Sequence, residues 1–585
     1  MQLPLYSLGY TVDIHGVSNN ELLNAMQEAS STYSLSKKGI DSVHALKLRA
    51  ETDAERLKNT ACYFGYFDTT VQTSVSEDLN PHVLFDISLG PQYTFSHLAV
   101  TWADKDLVIA QLEHQKKDPT LAKGPTVEDA PSFVPGKPAL GTNILAIQKE
   151  ICGALRERGF AFARIVSHNV IADKAFSHID INLDIQTGPI VWFGDTTIIG
   201  ASTVHPEFFT QATSWKQDEV YKQSLLQQTE SELQQSGLFQ SVQVTESDVL
   251  GDDWTLPVTV LVSEAKRRTI GAGVSYTTTI GAGITAEWEH RNIYGLGRTL
   301  STYLAIWQRQ RSARISYTIP NFVTHNQSLS LIGEYDQQSY LPFTSSAITL
   351  SAPIGRPLNS KTRIQMGPSW QLLESQGIIG HKIYHLAKLP GQLQWSSATP
   401  IADPTTGATF NLHLTPAYQY VAPSFSYLIH TSSFSMYFSD ESNICTLATK
   451  LSIGNVAGAS KNTIPLPDRF FGGSQNALRG YKTGTVSPLN QHHQPIGGRS
   501  IGTLSLEART RFRNNFGWVV FYDVGNVFRD PIPIWSKISF LQSIGMGVRY
   551  ATPIGPLRVD IGVPLQRRRH IDPPFQIYFS IGQAF

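Results

Sequence analysis

The sequence predicts three small α+β units followed by a sixteen-stranded antiparallel transmembrane β-barrel. Three observations point there. A helix-Gly-aromatic unit recurs three times before residue 267, almost only strand patterns follow it, and those strands are apolar on one face and polar or small on the other.

The repeat comes first along the chain. Helical patterns over Ala45–Ala61, Leu145–Arg158 and Ser224–Ser236 end in Gly65-Tyr66-Phe67, Gly159-Phe160-Ala161 and Gly237-Leu238-Phe239. A glycine there supplies the left-handed residue that closes a helix, and the apolar residues after it pack the helix back on a sheet. Strict alternation follows in each unit: Val83, Phe85, Ile87; Ile179, Ile181, Leu183, Ile185; Val258, Val260, Val262. Gly90-Pro91 and Gly188-Pro189 break the chain before a new strand. Each unit reads as β-α-α-β-β, with bounds 8–91, 92–189 and 190–266 and the barrel over 267–585. Residues 116–138, rich in Pro, Lys and Asp, read as a long loop inside the second unit.

Composition excludes several classes. Formal net charge is +0, so no global field attracts nucleic acid. Cys62, Cys152 and Cys445 lie far apart without metal-ligand spacing. No apolar run is long enough for a membrane helix. Met1–Ser7 has neither a basic nor an apolar leader segment, so either a leader has been removed or the protein is not exported.

In the second half, "PLRVDIGVPL" sets Leu557, Val559, Ile561 and Val563 against Arg558, Asp560 and Gly562. "LSLEARTRF" sets Leu504, Leu506 and Ala508 against Ser505, Glu507 and Arg509, and "FQIYFSIGQAF" ends the chain in the same style. A soluble sandwich has this period too, but about 320 residues of strand without a helix would make an unusually large one. At about twenty residues per strand and connection, that length gives roughly sixteen strands, an even number as in bacterial barrels. Counting back from the end puts Arg567–Pro574, with its run Arg567, Arg568, Arg569, His570, in an external loop, and Pro553–Pro556 and Asn514–Gly517 in periplasmic turns. The run reads as solvated. The stretch "FFGGSQNALRGYKT", continuing through His492-His493, becomes an external connection of about thirty residues, long enough to suggest a role. It is no phosphate loop, since Tyr481 separates the last glycine from Lys482 and no helix follows.

A hairpin centred near residue 515 makes Glu507 and Asp523 neighbours on the lumen side. Like charges facing across strands are destabilising. Two arrangements relieve them: Arg479 folds inward, its planar fork matching carboxylates, or it stays exposed while Arg509 or Arg511 neutralises the acids. The residues alone leave both open.

These motifs carry a resemblance. "RFFGGSQNALRGYKT" resembles the arginine-glycine-aromatic sixth-loop motif of the BamA/TamA superfamily, which joins POTRA domains to a sixteen-strand outer-membrane barrel. "FYDVGNVF", "GTLSLEAR" and "GVRYATPIGPLRVDIGVPL" are similar to its other barrel motifs, and Phe585 to its terminal assembly signal. Three POTRA-like units resemble the TamA branch rather than the five of BamA-type factors or the two of two-partner-secretion pores. The resemblance implies a non-enzymatic insertase or translocase in the bacterial outer membrane, with the POTRA domains in the periplasm and no cofactor or metal. It implies a lumen lock of Arg479, Gly480 and Tyr481 with Asp523 and Glu507. It further implies a lateral seam between the strand around Thr269–Tyr276 and the last strand, at Gly271, Gly273, Gly582 and Phe585. Those glycines serve as hinges or are merely small; the sequence does not choose. Implied partners are unfolded outer-membrane or autotransporter clients, a TamB-like inner-membrane-anchored protein spanning the periplasm, and the lipid bilayer. The alternative is a BamA-type assembly factor or a two-partner-secretion-type pore for a dedicated substrate, and a soluble enzyme would need convergent catalytic groups that the sequence lacks.

Overall fold

The computed structural model describes residues 9–581 apart from 79, 341, 402, 441–443, 513–514, 533–538 and 553–556. Three small mixed sheets come first, all wired alike: the unit's last strand lies in the middle, parallel to its first and beside its second. In the first sheet His82–Ser88 runs between Thr11–His15 and Thr70–Val75. In the second His178–Gln186 runs between Thr94–Trp102 and Arg164–Asp173. The third has the order Trp192–Ile199, Thr255–Glu264, Phe239–Glu246.

The helices Val43–Tyr63, Gly141–Arg156 and Gln223–Gln235 each lead to a glycine of positive φ: Gly65 at 87°, Gly159 at 102° and Gly237 at 68°. Residues with a Cβ avoid that region, which is why the motif repeats. The alternating residues fill the cores: Val83, Phe85 and Ile87 beneath the first helix, and Ile179, Ile181, Leu183 and Ile185 beneath the second.

The segment 116–138 is better ordered than its composition predicts. It makes two short 3₁₀ turns, Pro119–Leu121 and Val127–Asp129, and buries Ala130 in the second core. Asp129 pairs with Arg158 through two hydrogen bonds. Beyond it, Phe95 and the Gly136–Lys137 backbone exchange hydrogen bonds of 2.8 and 2.9 Å. That contact covers the first residues of the Thr94–Trp102 edge; Arg164–Asp173 is the sheet's other edge.

From Arg268 to Ile581 the chain forms one antiparallel sheet in sequential order, with nineteen strand segments rather than sixteen. Three pairs of segments are halves of one strand. Phe343–Ser351 and Ile354–Asn359 break at Pro353, Thr362–Met366 and Ser369–Gly377 at Pro368, and Gly380–Lys388 and Gly391–Ser396 at Pro390. Register runs unbroken across each gap: Phe343 faces Gly377, and Ile354 faces Met366. Nineteen segments less three gives sixteen continuous strands among the described residues. The apolar side faces out. Val559, Ile561 and Val563 are exposed while Arg558, Asp560 and Gly562 are buried, the reverse of a soluble domain. No helix among the described residues is long and apolar enough to cross a membrane.

Two pieces of the third unit, Ala201–Ala212 and Leu233–Ser241, group with the barrel. There Asn292 donates from Nδ2 to the Thr203 carbonyl at 3.0 Å, and the His205 N–H donates to Gly295 at 2.8 Å.

Candidate functional site

The connection between the strands Cys445–Gly458 and Ser500–Thr510 folds back into the sheet's interior instead of standing in solvent. Leu478, Tyr481 and Val486 bury against Val527, with Ile501 and Leu541 alongside. The turn needs glycine. Gly480 has φ 90°, and a Cβ there would stand 3.1 Å from Pro564 N. Across the contact, a Cβ on Gly562 would reach 2.8 Å from Gly480 N. Two glycines back to back thus let the loop backbone lie directly on the Leu557–Pro564 strand.

Between them the loop aims Arg479, only 1% exposed, at the wall. Its Nε and Nη2 donate to the two oxygens of Asp523 at 2.8 and 2.7 Å, and its own backbone N–H donates to Asp523 at 3.0 Å. Nη1 donates to Glu507 at 2.5 Å. The guanidinium lies over the Phe521 ring, 3.5 Å from its centre, where the π face attracts a cation. Of the two arrangements open to the sequence, the structure adopts the inward one. Arg509 also binds Glu507, at 2.8 Å, whereas Arg511 pairs with Asp403.

The register differs from the predicted one. Glu507 faces Phe521, and Asp523 faces Ser505, so the two acids are diagonal neighbours rather than opposite. The hairpin is centred one residue earlier than its sequence suggests, and the offset makes room for the Phe521 ring under the arginine. Asn514 of that turn, and the predicted turn Pro553–Pro556, lie outside the described residues.

Several partners carry no signal in the local motif. Asp560 stands 3.6 Å from Arg479 Nη1 and is also held by Arg549 at 2.5 Å and Arg558 at 3.0 Å. Three carboxylates and four arginines therefore share one buried network, which no single strand pattern reveals. Tyr578, on the last strand Gln576–Ile581, accepts from the Gly480 N–H at 2.9 Å and donates to the Tyr481 carbonyl at 3.2 Å. Tyr481 itself donates to the Gln542 carbonyl at 2.8 Å. The arginine run is not uniformly solvated. Arg567, Arg569 and His570 are exposed, but Arg568 is half-buried, paired with Asp572 at 2.7 Å and bound to the Thr485 carbonyl of the folded loop at 3.1 Å. Lys482, His492 and His493 are exposed.

At the other predicted site, the first barrel strand, Arg268–Thr277, pairs along its length with Gly281–Ile293. Gly271 faces Glu287 and Gly273 faces Thr285, whose side chains fill the space above them. Toward the last strand the contact is thin. Phe579 N–H donates to Thr278 Oγ1 at 3.3 Å, Thr278 donates to the Ile577 carbonyl at 3.2 Å, and the Tyr276 and Phe579 rings lie 6.4 Å apart. No backbone ladder joins these two strands among the described residues. Gly582 and Phe585 lie outside the described residues.

The barrel matches a family model, the Omp85 superfamily domain, over residues 292–585. Similar curated proteins include the outer membrane protein assembly factor BamA of Nitratidesulfovibrio vulgaris, 20% identical over 445 residues that cover 73% of this chain and 55% of that one. The same factor from Neorickettsia risticii is 19% identical over 542 residues, 86% of this chain and 68% of that one. The match thus spans little more than half of the first relative. Among solved structures, BamA from Haemophilus ducreyi lacking POTRA domains 1-3 shares the fold with a TM-score of 0.62 at 17% identity, over 83% of this chain and 99% of that chain.

Proposed function

Because the chain belongs to the Omp85 superfamily, we propose that it is an outer-membrane protein assembly and translocation factor of the TamA type, acting as an insertase without catalytic chemistry. The observation that carries this reading is the link from the loop to the last strand. Arg479 is clamped on the wall, and the glycine beside it is bonded to Tyr578, so the loop and the strand flanking the seam move as one body. On the far side of that strand, among the described residues, Thr278 and a ring contact are what hold the barrel shut. A client strand that pairs with the edge of Arg268–Thr277 gains a full ladder where the described residues of the closed barrel show none. The three α+β units stand in the periplasm, and the edge strand Arg164–Asp173 is where we place strand addition by an extended client or by a TamB-like periplasm-spanning partner. Clients are unfolded outer-membrane or autotransporter chains.

The test is a disulfide across the seam, between cysteines at positions 278 and 577, with Cys62, Cys152 and Cys445 replaced by serine. The oxidised protein, reconstituted in lipid, should lose client assembly and regain it on reduction. Equal assembly in both redox states would exclude lateral opening. A BamA-type role is the second reading, favoured by the relatives matched, and depletion of each client class in turn separates the two.

A further inference from the structure

We propose that the barrel wall carries a built-in hinge line, formed by Pro353, Pro368, Pro390 and Pro416, about which it flexes when the seam opens. The inference rests on the seam reading above. In a hydrogen-bonded antiparallel pair, the two facing residues exchange two N–H···O=C bonds. At four successive interfaces one of the pair is a proline. Ser330 donates to the Pro353 carbonyl at 3.0 Å, Ala352 to Pro368 at 3.0 Å, Gly367 to Pro390 at 3.3 Å and Leu389 to Pro416 at 3.0 Å. Proline has no N–H, so the return bond is missing each time.

The four gaps are contiguous. Pro353 adjoins Ala352, Pro368 adjoins Gly367 and Pro390 adjoins Leu389, so each interface hands the defect to the next at a shift of one residue. They form a line across the strands, and three of the strands lose regular geometry where it passes. Prolines inside sheets belong to edges and bulges; four in neighbouring interior strands at one level are not explained by edge protection. The backbones also close up here, since a Cβ on Gly367 would fall 2.3 Å from the Ala352 carbonyl oxygen.

Position gives the line its meaning. Of the sixteen continuous strands, the last defective interface joins the eighth, Gly380–Ser396 in its two halves, to the ninth, Gly407–Gln419. That interface is half the circuit from the seam between the sixteenth and the first. A ring cut at one point and pulled open bends most opposite the cut. Missing ladder bonds at that place lower the resistance to bending where the moment is greatest, and leave the strands beside the loop network fully bonded.

Two measurements on the full-length protein in lipid nanodiscs test this. In hydrogen exchange, the amides of Ala352, Gly367 and Leu389 should exchange at least tenfold faster than Thr449 and Leu504 in fully bonded strands; equal protection overturns the hinge. Second, all four prolines are changed to valine, with folding checked by heat-modifiable gel mobility. Spin labels at positions 276 and 579 then read the seam before and after client addition. Each restored bond should lower the open fraction roughly fivefold. If the unmodified barrel opens and the valine variant opens as far, the hinge is wrong while the seam stands. If the unmodified barrel never opens, the seam reading fails and takes the hinge with it. Should the fourfold variant not fold, Pro390→Val alone gives the same comparison.

Discussion

Arg479 is a buried cation whose cost of desolvation is offset by two carboxylates, a backbone bond beside it and an aromatic face. Removing one member of such a group strands the others, at about 3–5 kcal/mol. Arg479→Ala should leave a barrel with folded gel mobility, expose residues 470–486 to protease and reduce client assembly at least tenfold. Arg479→Lys should rescue poorly, because an ammonium cannot span both oxygens of Asp523 and reach Glu507. Tyr578→Phe should loosen the same loop less, leaving the Gly480 N–H unpaired at a cost of roughly 1–3 kcal/mol. Normal loop protection in both variants would show that the network holds nothing. Residue chemistry made Glu507 and Asp523 legible as acids on a lumen face that need a cation, but only the resemblance, not the residues alone, pointed to Arg479 over Arg509 or Arg511 as that cation. Phe521 was within reach as well, two residues before Asp523 and so on the same face. Asp560 and Tyr578 were not, since they arrive from strands two and three places farther round the sheet.

At the scale of elements, the strongest signals were those with a steric cause. Gly65, Gly159 and Gly237 all take positive φ because a helix end demands it, so the repeat survived from sequence to structure. The segment 116–138 was harder: its prolines and charges hide an Asp129–Arg158 pair that only the fold brings together. A similar device sits where the third unit meets the barrel. Glu264 accepts hydrogen bonds from the Ser202, Thr203 and Val204 N–H groups at 2.7, 2.7 and 3.1 Å and from the Thr203 hydroxyl at 2.6 Å. Burial alone would raise its pKa, but these donors outweigh it and hold the carboxylate at about 2, against an ordinary 4.5. A depressed carboxylate stabilises above its unfolded pKa and loses that contribution as pH falls through the folded one. Protection of residues 202–204 should therefore decline between about pH 4.5 and 2, and hydrogen exchange over that range should show it. Glu264→Gln should be looser at neutral pH and flat across the window; a decline as steep as in the native chain would assign the effect to another group.

At the scale of the whole molecule, the design is a barrel with bonding strength distributed unevenly around its circuit. Strands beside the Arg479 network carry complete ladders, the seam carries side-chain contacts, and the wall across from it lacks four backbone bonds. The seam-locked protein should consequently still bind clients through its three α+β units while failing to release them into the membrane. Pull-down of a client by the oxidised 278–577 variant, with no insertion, is the expected result, and loss of capture would place the defect upstream of the barrel. The sequence by itself determined the unit count, the alternation that turns apolar residues outward, and the acids of the lumen face that need a cation. All of these depend on neighbours within one strand or one helix turn. Tertiary structure decided what depends on closure: a register two residues off, the glycine-on-glycine seat of the loop, the bond from Tyr578, and the alignment of four prolines spread over 64 positions from Pro353 to Pro416. Backbone hydrogen bonds across a sheet relate positions by register, and register is set by the whole barrel rather than by any one segment.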